Sequence, residues 1–216
     1  MGYVSKLSSS LPSYNNDVGE DLDIKSVVNE EISAWKNKKE NDFGMGSFLK
    51  KYWNATPNPE NSNDPSIAWS AAFVSWILKP FGFVGEIGHA SYIDNVLDGK
   101  TSGWKAFNIK NNDKVRLNVG DILIYDRKPY EDDSRASHGD VVYQIDDQYA
   151  YLVGGNLSDS IGVVRLPIDN NGYIEDKKSY QIILKNLRGA KVWKKYLYGT
   201  FVIGWYGFLI YNLRKQ

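Results

Sequence analysis

The sequence predicts an α+β domain in which N-terminal helices pack on a mostly antiparallel sheet of about five to six strands. Three observations point there. Apolar residues recur every three or four positions as far as Leu97, and from Val115 the period changes to two. Turn signals such as Gly120–Asp121 and Gly154–Gly155–Asn156 punctuate the second half. A composition of 42% hydrophobic and 14% aromatic residues supplies enough apolar surface for one packed core.

The elements follow in order. Residues 1–22, rich in Ser, Asn and Asp, read as a flexible arm. From Ile24, IKSVVNEEISAWKNKKE sets Ile24, Val27, Val28, Ile32 and Trp35 on one helical face. MGSFLKKYWN predicts a second, short helix, and TPNPENSNDPS a loop. Asp64 and Pro65 then open a third helix as cap and first-turn proline; Pro80 and Gly82 stop it near Lys79. HASYIDNVLDG predicts a fourth helix, followed by a polar stretch through Asn112. RLNVGDILIYDR, SHGDVVYQIDD, QYAYLVGGN and SIGVVRLPI each predict a strand, and SYQIILKNL with TFVIGWYGFLIYNL one to three more. The predicted organisation is an arm over 1–22, a helical extension over 23–60 and a main domain over 61–216.

Charge and cysteine content exclude several functions. Lys plus Arg number 26 and so do Asp plus Glu, so no electrostatic footprint for nucleic acid exists. The chain has no cysteine, which excludes disulfides, thiolate metal sites and a thiol nucleophile. The longest apolar run, Phe201–Leu213, is shorter than the roughly 20 residues a spanning helix needs, so no stable membrane span is expected. The first 23 residues lack the apolar centre of a signal peptide, which predicts synthesis in the cytoplasm. No cofactor is expected.

Chemistry converges on a few side chains. The chain has two histidines, His89 and His138. Ser70 stands at the start of the apolar run WSAAFVSWIL, His138 opens a strand, and Asn156 ends the next one. A helix start packed on the ends of two strands would gather an alcohol, an imidazole and a carboxamide, the parts of a nucleophile, a base and an orienting group. Asp140 and Asp159 compete with Asn156 for the third role. Trp69, His89 and Tyr92 are candidates for substrate binding or for support of the site. The competing structural readings are plain. Ser70 suits close helix packing, GGN is a good turn, and the tryptophans at helical spacing suit a core. A zinc set of His89, His138 and Asp140 is disfavoured, because Asp140 lies beside an apolar strand centre and His89 has no helical partner at i+4.

WSAAFVSW, LNVGDILIYDR and SHGDVVYQI, in this order, resemble the NlpC-like and CHAP cell-wall hydrolases. WSAAF, HASYI and GGN, with EEISAW and KKYW upstream, resemble most closely one bacterial branch of that group, the domain of unknown function 2272 family. The resemblance covers roughly residues 24–213. It implies a papain-like fold, with Ser70 at the position of the group's nucleophilic cysteine, Gly120–Asp121 at its glycine–aspartate turn and His138 at its strand-opening histidine. It further implies a hydrolase cleaving amide bonds in peptidoglycan or its peptide stems. Serine in place of cysteine leaves three readings: a working Ser–His–Asn hydrolase, an inactive peptidoglycan-binding module, or an esterase or acyl hydrolase on the same fold. Without a signal peptide, a wall hydrolase would leave by phage lysis or by a non-Sec injection route, with an immunity or carrier protein as partner.

Overall fold

The computed structural model describes residues 23–64, 66–109, 114–126, 137–175 and 180–188. The predicted arm, Pro65 and the predicted strand at TFVIGWYGFLIYNL lie outside the described residues.

The chain is α+β. Four helices come first: α1 (Ile24–Ala34), α2 (Gly46–Trp53), α3 (Ser70–Leu78) and α4 (His89–Leu97). Six strands follow: β1 (Trp104–Asn108), β2 (Ile122–Asp126), β3 (Ser137–Ile145), β4 (Tyr149–Gly154), β5 (Gly162–Pro167) and β6 (Tyr180–Asn186). They form one sheet in the order β1-β6-β2-β3-β4-β5, and every neighbouring pair is antiparallel.

Successive strand residues point to opposite faces, and here both faces are covered. Ile122, Ile124, Val141, Tyr143, Val153 and Leu184 join the helices in one apolar cluster. Leu123, Val142, Leu152, Leu166 and Ile183 form a second cluster behind the sheet with Ile109, Val115, Leu117, Ile168 and Ile174. That double burial explains why ILIY and DVVY read as nearly continuous apolar runs. Residues of α1 and α2 (Ile24, Val28, Tyr52, Trp53) belong to the same cluster as α3 and the sheet.

Two elements differ from the sequence expectation. α3 begins at Ser70, not at Asp64, and residues Pro59–Asn63 make a separate 3-10 turn. Asp64 spends its carboxylate locally, accepting from Ser66 N–H at 2.9 Å and Ser66 Oγ at 2.6 Å. That is an Asx turn, in which Oδ1 of the side chain satisfies its own loop instead of capping a helix. The first helical residue is therefore Ser70, with Trp69 as cap and Phe73 N–H bonded to Trp69 C=O at 3.0 Å. The second difference is β1, which lies within the stretch read as a polar connection. It is an edge strand of five residues whose register, Trp104↔Asn186 to Asn108↔Ile182, comes from pairing with β6. Non-local pairing overrides weak local propensity in so short a strand.

The Gly120–Asp121 turn has the expected architectural role. Gly120 takes φ +92°, a left-handed conformation that glycine adopts without steric cost. Asp121 is wholly buried and accepts from Asn118 N–H at 2.8 Å, Lys185 Nζ at 2.8 Å and Asn186 N–H at 3.1 Å, tying β2 to β6. Burial nonetheless pushes its carboxyl above the usual range, against the pull of Lys185.

Candidate functional site

Two helix starts meet at the site. Ser70 is the first residue of α3, and His89 the first of α4. Helical side chains lean back toward the N-terminus, so both reach beyond the ends of their helices. There Ser70 Oγ and His89 Nε2 lie 2.7 Å apart. The incoming chain to α4 is fixed by Ser75, which is fully buried on α3. Its hydroxyl donates to Ala71 C=O at 2.7 Å and accepts from Glu86 N–H at 3.0 Å. Glu86 in turn accepts from Asn95 Nδ2 at 2.6 Å, which pins the loop to α4.

His89 is held from its other side. Its Nδ1 is hydrogen-bonded to the hydroxyl of Tyr92, one turn along α4. Tyr92 is fully buried, and burial first, then the charge of Asp140, pushes its phenol well above the usual tyrosine range. The floor under this pair is Gly139 of β3. A methyl group there would overlap the Tyr92 hydroxyl and come within 2.9 Å of His89 Nδ1. Next along the sheet, a methyl on Gly155 would stand 2.6 Å from Phe73 Cβ and 2.7 Å from Trp69 Cζ3. Absent side chains at Gly139 and Gly155 thus let the starts of α4 and α3 lie directly on the strands.

His138 and Asp140 form a second couple. His138 Nε2 lies 3.1 Å from Asp140 Oδ1, and both side chains are buried, 0% and 1% exposed. The two pairs adjoin one another through their imidazoles. Gly139 and Val141 face α3 and α4, whereas His138, Asp140 and Val142 project from the other face. On that face His138 sits across from Tyr125, rings 5.2 Å apart, with Tyr180 next, 5.6 Å from Tyr125. The two imidazoles are 5.4 Å apart between ring centres, tilted by 51°.

The sequence-derived candidates therefore divide. Ser70, His89 and Tyr92 come together, and the imidazole on Ser70 is that of His89; the side-chain hydrogen bond of Ser70 does not go to His138. His138 is joined to Asp140. Asn156 occupies a left-handed turn at φ +56°, followed by Ser158 at +53° and Asp159 at +66°. That turn docks on the segment after α1: Glu40 N–H donates to Asp159 C=O at 2.7 Å, and Lys39 Nζ lies 3.6 Å from the Asp159 carboxylate. Trp69 is 2% exposed, stacked on Trp35 at 4.9 Å, and donates from Nε1 to Glu40 Oε2 at 2.6 Å. It belongs to the wall behind α3. Ser75 was not among the sequence candidates; its signal is a serine one turn beyond Ser70 on an otherwise apolar helix. Among the described residues, no three His, Cys, Asp or Glu side chains are placed to hold a metal ion. No helix among them is long and apolar enough to cross a membrane.

Residues 35–192 match the model of a family described as "Uncharacterized protein conserved in bacteria (DUF2272)". The chain belongs to that family. The match takes in all five helix and strand positions that build the candidate site of this DUF2272 chain, Ser70, His89, Tyr92, His138 and Asp140. No curated protein and no solved structure matches it.

Chemically, the arrangement places a hydroxyl on an imidazole whose second nitrogen is fixed, at a point where two helix N-termini converge. The first N–H groups of a helix have no intrahelical acceptor, and its dipole favours negative charge there. Such a place suits an oxygen that develops negative charge.

Proposed function

We propose that this chain is a hydrolase that cleaves amide bonds in the peptide part of bacterial cell wall through an acyl-enzyme on Ser70. The observation that carries the reading is the 2.7 Å contact between Ser70 Oγ and His89 Nε2 at the convergent helix starts. In this reading His89 is the base, the role the sequence resemblance would give to His138. Ser70 attacks the substrate carbonyl while its proton passes to His89 Nε2. The tetrahedral oxyanion accepts hydrogen bonds from first-turn N–H groups of α3. His89 then returns the proton to the leaving amine, and water releases the acyl group by the reverse sequence. The substrate class comes from the likeness of WSAAF, LNVGDILIY and SHGDVVY to the NlpC-like and CHAP hydrolases, as does a papain-like arrangement of the fold.

The test is release of muropeptides from purified peptidoglycan. The native chain should release them, and Ser70→Ala should reduce the rate by about 1000-fold or more. Equal release by the two would refute Ser70 as nucleophile. One observation favours a second reading, a binding module without the reaction: Ser70 is 4% exposed and His89 6%. Cell-wall binding by the native chain with no release would support it. Hydrolysis of short acyl esters with no muropeptide release would instead point to an esterase.

A further inference from the structure

We propose that β5 is a self-pairing edge: two copies of this chain join β5 to β5, antiparallel, about a twofold axis at Val164, so that one sheet runs through the pair. Self-pairing needs nothing from the chemistry of Ser70.

β5 stands at one end of the sheet order, so among the described residues no strand pairs with its outer side. Its inner side is fully used. It pairs with β4 from Tyr149↔Pro167 to Gly154↔Gly162 with no break in register. Ile168 N–H donates to Gln148 C=O at 2.9 Å, which fixes the phase of that ladder. Hydrogen-bonded pairs alternate along two antiparallel strands. Leu166, Val164 and Gly162 therefore turn their N–H and C=O toward β4, and Pro167, Arg165 and Val163 turn theirs outward. Pro167 has no N–H, and its C=O accepts from Glu175 N–H at 3.2 Å. The outward groups that remain on β5 are the N–H and C=O of Val163 and of Arg165.

Two such residues with one between them are self-complementary. A twofold axis at Val164 sets Val163 across from Arg165 of the second copy, and Arg165 across from its Val163. Each pair exchanges two N–H···O=C bonds, so every outward group of both strands finds a partner. Val164 then meets Val164 of the second copy on the face of Leu152, and Val163 adds apolar surface on the face of Val153. Both valines are exposed, 46% and 38% for Val163 and Val164. Arg165, the one charge on the strand, folds back over the Tyr149 ring of β4, 4.3 Å from its centre, away from the joining edge. β1, at the other end of the sheet, carries Lys105, a charge of the kind that blunts an edge, and β5 has no lysine. Sliding the register toward Pro167 would set Val163 against a residue with no N–H and with its C=O already taken. Sliding it the other way would bring β5 against the chain before Gly162, outside the strand. Lys plus Arg number 26 and Asp plus Glu 26, so two copies approach with no net repulsion. A contact of one strand with another is small beside a standard interface, so the pair is weak and forms at high concentration.

Sedimentation velocity of the full chain from about 1 μM to 1 mM reads the pairing. The sedimentation coefficient should rise with concentration toward that of a dimer. Amide exchange locates the contact. The N–H groups of Val163 and Arg165 should exchange about 10-fold more slowly in the concentrated sample, and that of Val164, bonded to β4 in either state, should be protected in both. Val163→Pro removes an outward donor and nothing from the β4 ladder, and Val164→Lys sets like charges across the axis. Both variants should stay monomeric over the whole range with the native circular dichroism spectrum. Should Val163→Pro fail to fold, Val164→Lys carries the same reading. A native chain still monomeric at about 1 mM overturns the self-pairing and leaves the edge to an extended segment of another protein. A dimer whose Val163 and Arg165 amides keep their dilute exchange rates overturns it too, as does one undiminished in folded Val164→Lys.

Discussion

At the residue scale, two imidazoles in contact, 5.4 Å apart between ring centres, have different hydrogen-bond partners and so different work. His89 meets the serine, and His138 meets a carboxylate of its own strand. His89→Gln should therefore lower muropeptide release by about 100-fold or more, the range for loss of a positioned base. His138→Gln should cost less turnover and more stability, since it leaves the buried Asp140 charge unpaired. Release rates beside urea unfolding midpoints separate the two effects, and a larger turnover loss in His138→Gln would reverse the assignment. Ser70 and His138 were legible in the sequence as groups able to do chemistry, and so were their neighbours Tyr92 and Asp140. Which imidazole meets the hydroxyl was not. Strand alternation turns His138 away from α3, and the start of α4 reaches the start of α3 only through the loop anchored by Ser75. A pairing between two helix starts nineteen residues apart leaves no periodic trace in the chain.

At the scale of elements, α3 is the piece on which the site depends. Its apolar character and its end near Lys79 were readable. Its start was not, because Asp64 satisfies Ser66 in a local turn instead of capping a helix. Four of the strands were visible from their alternation and turn residues, and β6 from SYQIILKNL. β1 was not, since five residues including Lys105 and Asn108 become a strand only through pairing with β6. The seat of α3 on the sheet is Gly155, where a methyl group would press on Phe73 and Trp69. Gly155→Ala should lower stability by about 1–3 kcal/mol, the usual cost of overpacking a core. An unchanged urea midpoint would mean that α3 can retreat from β4 without cost. Phe73→Ala, at a wholly buried position, should cost about 3–5 kcal/mol.

At the scale of the whole molecule, a sheet covered on both faces buries polar rings as well as apolar ones. Tyr52, Tyr92 and Tyr180 all have phenols raised above the ordinary range, in each case chiefly by burial. In the unfolded chain they ionise near about pH 10. Between that pH and their native values the folded state holds more protons, so stability falls as pH rises. Stability should be unaffected by these groups below about pH 10 and decline above it, and Tyr180→Phe should remove part of the slope. Urea unfolding followed from pH 8 to 12 reads this directly, and equal slopes in the native chain and Tyr180→Phe would contradict it.

The claim that unites these scales is that α3 and α4 are placed so that an alcohol and an imidazole react as a pair. Intact-mass analysis after exposure to a fluorophosphonate measures that most directly. A single adduct, mapped to Ser70, should form on the native chain and be lost in His89→Gln. A folded native chain that stays unlabelled, or an adduct on Ser70 that persists undiminished in His89→Gln, would contradict it.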